Sequence, residues 1–411
     1  MERTLDKGMA AGPLAGVKVV EYGVFHAGPG AGAILGDLGA DVIKIEAGNG
    51  DPERFWTVVG DMDIAGPDGQ SIMFEVSNRN KRGIHLDIAS ETGRAVFDRL
   101  VAGADVFLTN LRKSTKAKLG IDYESLKRIN PKLVHANVSG YGPEGPMADI
   151  GAFDPMGQAR SGMMFLYDPK EPKLVHLAVL DQATAICASH AILAALVARE
   201  RRDIGQEVHA SLYGTGLWLL YCNVMSLAMI GKDPSIHWVR HENSPLRNNF
   251  MCADGKWIIG VHHPEEKYWG TFCRAIGRED LLEDPRFAEK SVRRHHFREL
   301  MEICDPVLAT RTRDEWMEIF RKAGLMFTPV QRLAEVIQDP QAIENNYIVE
   351  FEHPDHGRIS IPGYPAHFSE AEAGMRFTAP KKTGRDTDDI LRELGYSEKD
   401  IEAMRDQGVV K

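Results

Sequence analysis

Cysteine is scarce in this 411-residue chain. Cys187, Cys222, Cys252, Cys273 and Cys304 make an odd number with no C-x-x-C pair, which excludes a disulfide scaffold and a thiolate zinc site of the usual spacing. Positive charge is short as well: 49 Lys and Arg stand against 59 Asp and Glu, a formal net charge of −10 with His neutral. The surplus of cations that a phosphate backbone requires is missing, so nucleic acid is not the main partner. No secretory h-region is visible at the start of the chain, and with the scattered cysteines this leads us to expect a reducing, cytoplasmic setting. No G-x-S-x-G elbow and no P-loop occur. The one uncharged stretch of membrane-spanning length, Ala210 to Gly231, contains Gly214, Thr215, Gly216, Asn223 and Ser226. We read it as a buried inter-domain or interface helix and expect no membrane association. Fifteen histidines raise the question of a metal. His353-Pro-Asp-His356 reads as a turn and the adjacent His295 and His296 point apart, so no metal site is expected.

What remains is ordinary for a globular protein, 43% apolar and 26% charged, and its pattern is βαβ. Val17–Tyr22 reads as a strand, Ala27–Leu38 as a helix and Asp41–Glu46 as a strand; Gly83–Leu86, Val106–Asn110 and Leu133–Val138 follow as strands, with Glu91–Val101 as a helix. This predicts a doubly wound, Rossmann-like α/β domain with a parallel sheet. Gly28, Gly30 and Gly32 do not match G-x-G-x-x-G, and close packing of the helix on the strand explains them better than nucleotide binding. The Ala-rich Asp181–Glu200 segment is a helix, acidic at its start and basic near its end. After a Pro-containing loop, Asp233–Pro245, the pattern changes to that of a smaller α+β domain, and past Pro329 it returns to short αβ units ending in a helix capped by Ser397. The expected division is 1–230 for the large domain with its linker helix, 231–328 for the small one, and 329–411 for a return to the large one.

Two features point to chemistry. Between Asn78 and Gly120 nine basic residues face four acidic ones, a local +5 in an acidic protein that suits a phosphorylated small ligand or a solvated face. Asp181 follows the strand-like, mostly apolar run Leu174–Leu180 at the mouth of the Ala-rich helix. It is placed either as an N-cap or as a nucleophile whose ionised form the helix N-terminus favours, and both roles imply a low pKa.

From Pro13 to Val410 the chain resembles the class III CoA-transferases of the CaiB/BaiF family. The resemblance is carried by Pro13-Leu-Ala-Gly-Val-Lys-Val-Val-Glu21, Ala27-Gly-Pro29, Leu38-Gly-Ala-Asp-Val-Ile-Lys-Ile-Glu46 and Asn78-Arg-Asn-Lys-Arg82. Ser139-Gly-Tyr-Gly142, Leu180-Asp181, Asp284-Pro-Arg-Phe287 and Leu391-Arg-Glu-Leu-Gly395 continue it. It implies a large α/β domain built from both chain ends, a small central domain, and two subunits threaded through each other, as a homodimer or with a homologous partner subunit. It places the nucleophile on Asp181 and CoA contacts on His26, Ala27, Leu86, Asn110, Leu111, Thr115, Lys118 and Tyr141. Ala47 and Ser139 stand where some members carry a basic residue, which shifts phosphate contact toward Arg112 or Lys113. No permanently bound cofactor is implied; acyl-CoA and a carboxylic acid are the substrates.

Trp56 and Phe153, with His26 and Tyr141, suggest a roomy, aromatic-walled pocket for a medium-size or aromatic acid, with succinyl-CoA as a plausible donor. The related α-methylacyl-CoA racemases carry a histidine immediately before the aspartate in the segment matching Ala152–Pro155, where this chain has Phe153. That removes a partner for two-base proton exchange. A CoA-binding subunit of a hetero-oligomer is the third reading, which retention of Asp181 opposes.

Overall fold

Six parallel strands form one sheet in the spatial order Lys81–His85, Asp41–Glu46, Lys18–Glu21, Val106–Thr109, Val134–Ser139 and Gln206–Ser211. Counted along the chain this is 3-2-1-4-5-6, the Rossmann order. The computed structural model describes residues 11–66, 69–168, 170–175, 177–232 and 239–411. They fall into two compact units, Met1–Asp233 with Asn346–Lys411, and Pro234–Asn345.

Both faces of the six-stranded sheet are covered, and Val19, Val20, Val42, Ile45, Ile84, Val106, Phe107, Leu108, Val134 and Ala136 of its strands are buried. On one face the helices Ala27–Asp37 and Val179–Arg202 pack with Val19, Val42, Leu108 and Ala136. On the other, helix Glu91–Ala102 joins the chain's last residues, Ile390, Leu391, Ile401, Met404, Val409 and Val410, around Val20, Ile45, Ile84 and Phe107. Both chain ends thus build the large unit. Its closing helix, Glu398–Asp406, has the expected Ser397 cap, completed by Asp400 as a capping box. The three early glycines serve packing: a Cβ at Gly28 would stand 2.9 Å from Asn110, one at Gly30 3.0 Å from Ala185, and one at Gly32 2.0 Å from the Glu21 carboxylate.

Gly32 leaves room for a buried charge cluster. Glu21 on the first strand is in register with Lys44 on the second, and its two oxygens lie 3.2 Å from Lys44 Nζ and 2.7 Å from Lys81 Nζ, all three side chains fully buried. Lys44 also meets Asp51 at 2.9 Å and donates to Gly23 O; Lys81 donates to Pro29 O and Asn78 Oδ1. Burial alone would lower Lys44, but Asp51, Glu21 and Glu46 outweigh it and hold the ammonium above its ordinary range.

The small unit carries a three-stranded antiparallel sheet in the order Phe327–Val330, Trp257–Val261, Arg247–Met251. Helices Glu265–Ala275, Phe297–Leu308 and Arg313–Lys322 add Phe272, Leu300, Trp316 and Phe320 to its core. This unit ends at Asn345 rather than at 328, because Phe327–Val330 completes its sheet. Of the expected loop Asp233–Pro245, residues 233–238 lie outside the described ones.

The reading of Ala210–Gly231 as one inter-domain or interface helix is corrected in its local structure. Ala210 and Ser211 end the sixth strand, and the rest forms two helices, Leu212–Leu219 and Tyr221–Ile230, bent by 67° at Leu220. No residue of the second helix is buried, and Trp218, Met229 and Ile230 are 70%, 75% and 65% exposed. Composition alone implied burial, yet among the described residues of this unit none covers these side chains. The Val179–Arg202 helix is also long and apolar enough to cross a membrane, but its Leu180, Ala188, Ile192 and Leu196 belong to the core.

The charge cluster generates a stability prediction. Glu21→Gln leaves two buried ammonium groups short of a counter-charge and is expected to lower unfolding free energy by about 3–5 kcal/mol, whereas Glu21→Gln with Lys81→Met recovers most of it. Urea unfolding monitored by circular dichroism measures both; a single variant as stable as wild type contradicts the account.

Candidate active site

The sheet reverses its winding between Lys18–Glu21 and Val106–Thr109, so the loops leaving these two strands diverge and open a crevice at their carboxyl ends. Asn110 bridges it. Its Oδ1 accepts from Val24 N at 2.9 Å and its Nδ2 donates to Val24 O at 2.6 Å. The residues expected to contact CoA follow four strand ends: His26 and Ala27 the first, Leu86 the third, Asn110, Leu111, Arg112, Thr115 and Lys118 the fourth, and Tyr141 the fifth. They do not all offer side chains. Leu86 is fully buried in the core, Ala27 is buried, and both ring nitrogens of His26 are engaged within the protein, Nδ1 with Ser77 Oγ and Nε2 with Gln182 Oε1, each at 2.8 Å. Burial keeps this imidazole below its ordinary range. Arg112 and Lys118 are exposed, and Asn110, Leu111, Thr115 and Tyr141 partly so.

The basic island is smaller in space than in sequence. Arg79 pairs with Asp37, Lys81 with Glu21, Arg82 with Asp41 and Glu393, and Arg94 with Asp98. Arg99 reaches Leu394 O and covers Tyr396, and Lys116 bonds Asn137. What stays available is Arg112, Lys113 and Lys118, in and just before the short helix Lys113–Leu119; Lys113 lies only loosely, 3.8 Å, from Glu144.

Asp181 is not an N-cap. The helix begins at Val179, Asp181 sits in its first turn, and the cap position is Ala178, with no side-chain cap of its own. The cap comes from Asp154, at the start of helix Asp154–Ser161, whose Oδ2 accepts from Leu180 N at 2.6 Å and Asp181 N at 3.0 Å. The run before the helix is not a strand either. Gln158 holds Val175 by both backbone groups, and Leu177 and Ala178 adopt left-handed conformations (φ 62° and 55°), while His176 lies outside the described residues. Two successive non-glycine residues in this region store strain immediately before the helix that carries Asp181. With its amide capped by another carboxylate, Asp181 has its own oxygens left over. Burial first and the charge of Asp154 second push it up to about 7, opposite to the low value that either role implied.

Phe25 joins this arrangement unforeseen. Left-handed at φ 58°, it places its ring edge-on to Trp56 at 6.5 Å and to Phe153 at 5.2 Å between centroids. Trp56 and Phe153, expected as pocket walls, are thus brought together through a third aromatic residue, and remain 39% and 54% exposed. The loop after the first strand therefore meets Asn110 through Val24, Phe153 through Phe25, and Gln182 on the helix of Asp181 through His26. Asp154 had a sequence signal, an acidic residue followed by Pro155 at a helix start; Phe25 had none.

A six-stranded parallel sheet in Rossmann order, covered by helices on both faces, makes this a protein of the α/β class. Residues 14–387 match CoA-transferase family III. The chain is 31% identical over 401 residues to (R)-2-hydroxy-4-methylpentanoate CoA-transferase of Clostridioides difficile, covering 97% of this chain and 99% of that one. It is 30% identical over 407 residues to succinyl-CoA:glutarate CoA-transferase of Mus musculus, covering 97% and 90%. The crystal structure of a CaiB/BaiF family protein from Brucella suis, 31% identical, superposes with a TM-score of 0.81 over 93% of this chain and 100% of that one. The chain belongs to CoA-transferase family III and is a CoA-transferase.

The raised pKa of Asp181 has a thermodynamic consequence. The folded state holds this proton more tightly than the unfolded chain, an advantage complete below the ordinary value of 3.8 and lost as pH rises through about 7. Asp181→Asn is therefore expected to melt above wild type at pH 8, with the gap closing toward pH 4. Calorimetry across that range checks it, and a variant no more stable than wild type at pH 8 contradicts it.

Proposed function

We propose that the enzyme moves CoA from a donor acyl-CoA to an organic acid of medium size with an apolar or aromatic body, using Asp181 as nucleophile. The observation that carries this reading is the carboxylate of Asp181, relieved of capping by Asp154 and set in the first helical turn beside the crevice. The Asp181 carboxylate attacks the donor thioester carbonyl, forming an acyl-aspartyl anhydride and expelling CoA thiolate. The thiolate then attacks the aspartyl carbonyl, giving an aspartyl-CoA thioester and the free donor acid. The acceptor carboxylate attacks that thioester, a second anhydride forms, and the thiolate takes the acceptor acyl group, returning Asp181 as carboxylate. Nucleotide contacts at Arg112, Lys113, Lys118, Thr115, Asn110 and Tyr141, with backbone at His26, Ala27, Leu86 and Leu111, keep the thiol in reach while it is unbonded. A titration near pH 7 leaves much of Asp181 ionised at neutral pH and keeps it nucleophilic.

The aromatic group Phe25, Trp56 and Phe153 supports an apolar acid, and the glutarate-using relative supports succinyl-CoA as donor. With Phe153 before Asp154, racemisation lacks an imidazole at that place. The exposed apolar helices Leu212–Leu219 and Tyr221–Ile230 support an intertwined dimer, in which a second subunit covers them. A cytoplasmic setting completes the proposal.

Asp181→Asn is expected to lower turnover by at least about a thousandfold while acyl-CoA still binds, measured by mass spectrometry over a panel of acids and donors. Retained turnover defeats the mechanism. In analytical ultracentrifugation the protein is expected to sediment as a dimer that persists on dilution; a monomer removes the threaded assembly.

A further inference from the structure

Arg160 has no part in the mechanism above. It is an exposed residue of helix Asp154–Ser161, and among the described residues no carboxylate and no backbone carbonyl is bonded to it. What holds it is aromatic. Its guanidinium carbon lies 5.7 Å from the ring centre of Tyr141 and 5.6 Å from that of Tyr213, within reach of a cation–π contact. The two rings come from different elements, the loop after the fifth strand and the start of helix Leu212–Leu219. Tyr213 N donates to Gly140 O at 3.0 Å, which fixes one to the other. Both tyrosines are half-buried, and neither hydroxyl bonds another described residue. A guanidinium fork and two phenol O–H groups, all uncommitted, thus share one place. They are donors in want of an anionic acceptor with two oxygens, which a carboxylate supplies.

The helix ties this place to the nucleophile. Its first residue, Asp154, accepts from Leu180 N and Asp181 N. One turn on, a Cβ at Gly157 would stand 2.7 Å from Leu180 and 2.8 Å from Leu212, so the helix lies close against the residue before Asp181. Phe153 at the cap position, Met156 and Arg160 follow the i, i+3, i+7 spacing of one helix face, and the first two are 54% and 50% exposed. At the ordinary rise per residue Arg160 stands about 9 Å along the axis from Asp154. A ligand reaching from Asp181 to Arg160 therefore passes apolar side chains, the Phe153 ring with Phe25 against it among them, and meets a cation at its far end. Arg112, Lys113 and Lys118 lie elsewhere, in and just before helix Lys113–Leu119, and remain for the phosphates.

We propose that Arg160 is a specificity-determining residue: with the Tyr141 and Tyr213 hydroxyls it binds a second carboxylate on the acid. The acyl groups this enzyme moves are then those of dicarboxylic acids with an apolar body between the two carboxyl groups. One carboxyl reacts at Asp181 while the other stays ionised against the guanidinium. The inference rests on the reading of Asp181 as nucleophile and narrows the acid proposed with it.

The test follows the first half-reaction alone, which needs no acceptor. Adipyl-CoA and suberyl-CoA, each beside the methyl ester of its distal carboxyl, are mixed with wild type, Arg160→Gln, Arg160→Lys and Tyr213→Phe. CoA fixed on Asp181 is counted by mass spectrometry of the quenched digest. Esterification removes the distal charge and leaves the apolar body. Wild type is expected to react with the free-acid thioesters at least about tenfold faster than with their esters, the worth of one hydrogen-bonded charge pair. Arg160→Gln is expected to erase that preference by slowing only the free-acid thioesters, and Arg160→Lys to keep part of it. Tyr213→Phe, which retains the ring, narrows it about threefold. Free CoA is expected to bind wild type and Arg160→Gln equally in calorimetry. Equal rates for acid and ester in wild type, or a preference that survives Arg160→Gln, overturns the proposal. An Arg160→Gln enzyme that binds free CoA more weakly and slows with acid and ester alike also overturns it, since Arg160 is then a phosphate contact. Labelling separates the two layers. Equal labelling of Asp181 by acid and ester removes this inference and leaves the nucleophile standing, whereas no labelling of Asp181 by any thioester removes both.

Discussion

Glu21 lies between two buried lysines, and much of the site hangs on it. In-register pairing sets it against Lys44, and Gly32 clears the space that brings it to Lys81. The two ammonium groups spend their other donors on Gly23 O, Asp51, Pro29 O and Asn78. One carboxylate therefore ties the exit of the first strand, the first turn of helix Ala27–Asp37 and the loop after the second strand. Such a cluster costs desolvation and adds little net stability. What it supplies is a single geometry for the loop that carries Phe25 and His26. With both ammonium groups committed there, burial and Asp51 outweigh them at Glu53 and push it up to about 8.

Asp154 and Asp181 show how environment separates two carboxylates. Asp154 is saturated by the first backbone N–H groups of the Val179–Arg202 helix and by Gln158. Asp181, with burial and a like charge nearby, is held less comfortably as an anion. Under the proposed mechanism that cost falls on the ground state, and an anhydride or thioester at Asp181, being neutral, would relieve it.

Five of the six strands were legible from apolar residues set between small-residue turns, as in Val106–Thr109, and the closing helix because Ser397 is followed by Asp400; the sixth strand, Gln206–Ser211, was missed because Gln206, Glu207 and His209 leave it only Val208 and Ala210 as apolar residues. The glycine reading also held, since Gly28, Gly30 and Gly32 each meet a neighbour that a side chain would strike. Other errors share one cause, long-range partners that local sequence does not show. Asp181 looked like its own helix cap because Asp154, which does the capping, lies far off in sequence. The island of positive charge dissolved into ion pairs with Asp37, Asp41 and Glu393, most of them outside the counted window. Leu174–Leu180 has the composition of a strand, but Gln158 satisfies the backbone of Val175 that a sheet neighbour would otherwise bond. Ala210–Gly231 was read as one inter-domain or interface helix from its apolarity, but the sixth strand ends inside it and the rest bends by 67° into two helices.

The central claim is that CoA passes through a covalent bond to one side chain. Wild type mixed with acyl-CoA, quenched in milliseconds and digested for mass spectrometry, tests it most directly. The account predicts that the peptide containing Asp181 gains the mass of CoA less water, that hydroxylamine converts this adduct to a hydroxamate at Asp181, and that adding acceptor acid discharges it. An adduct on any other residue, or steady turnover with no adduct at all, contradicts it.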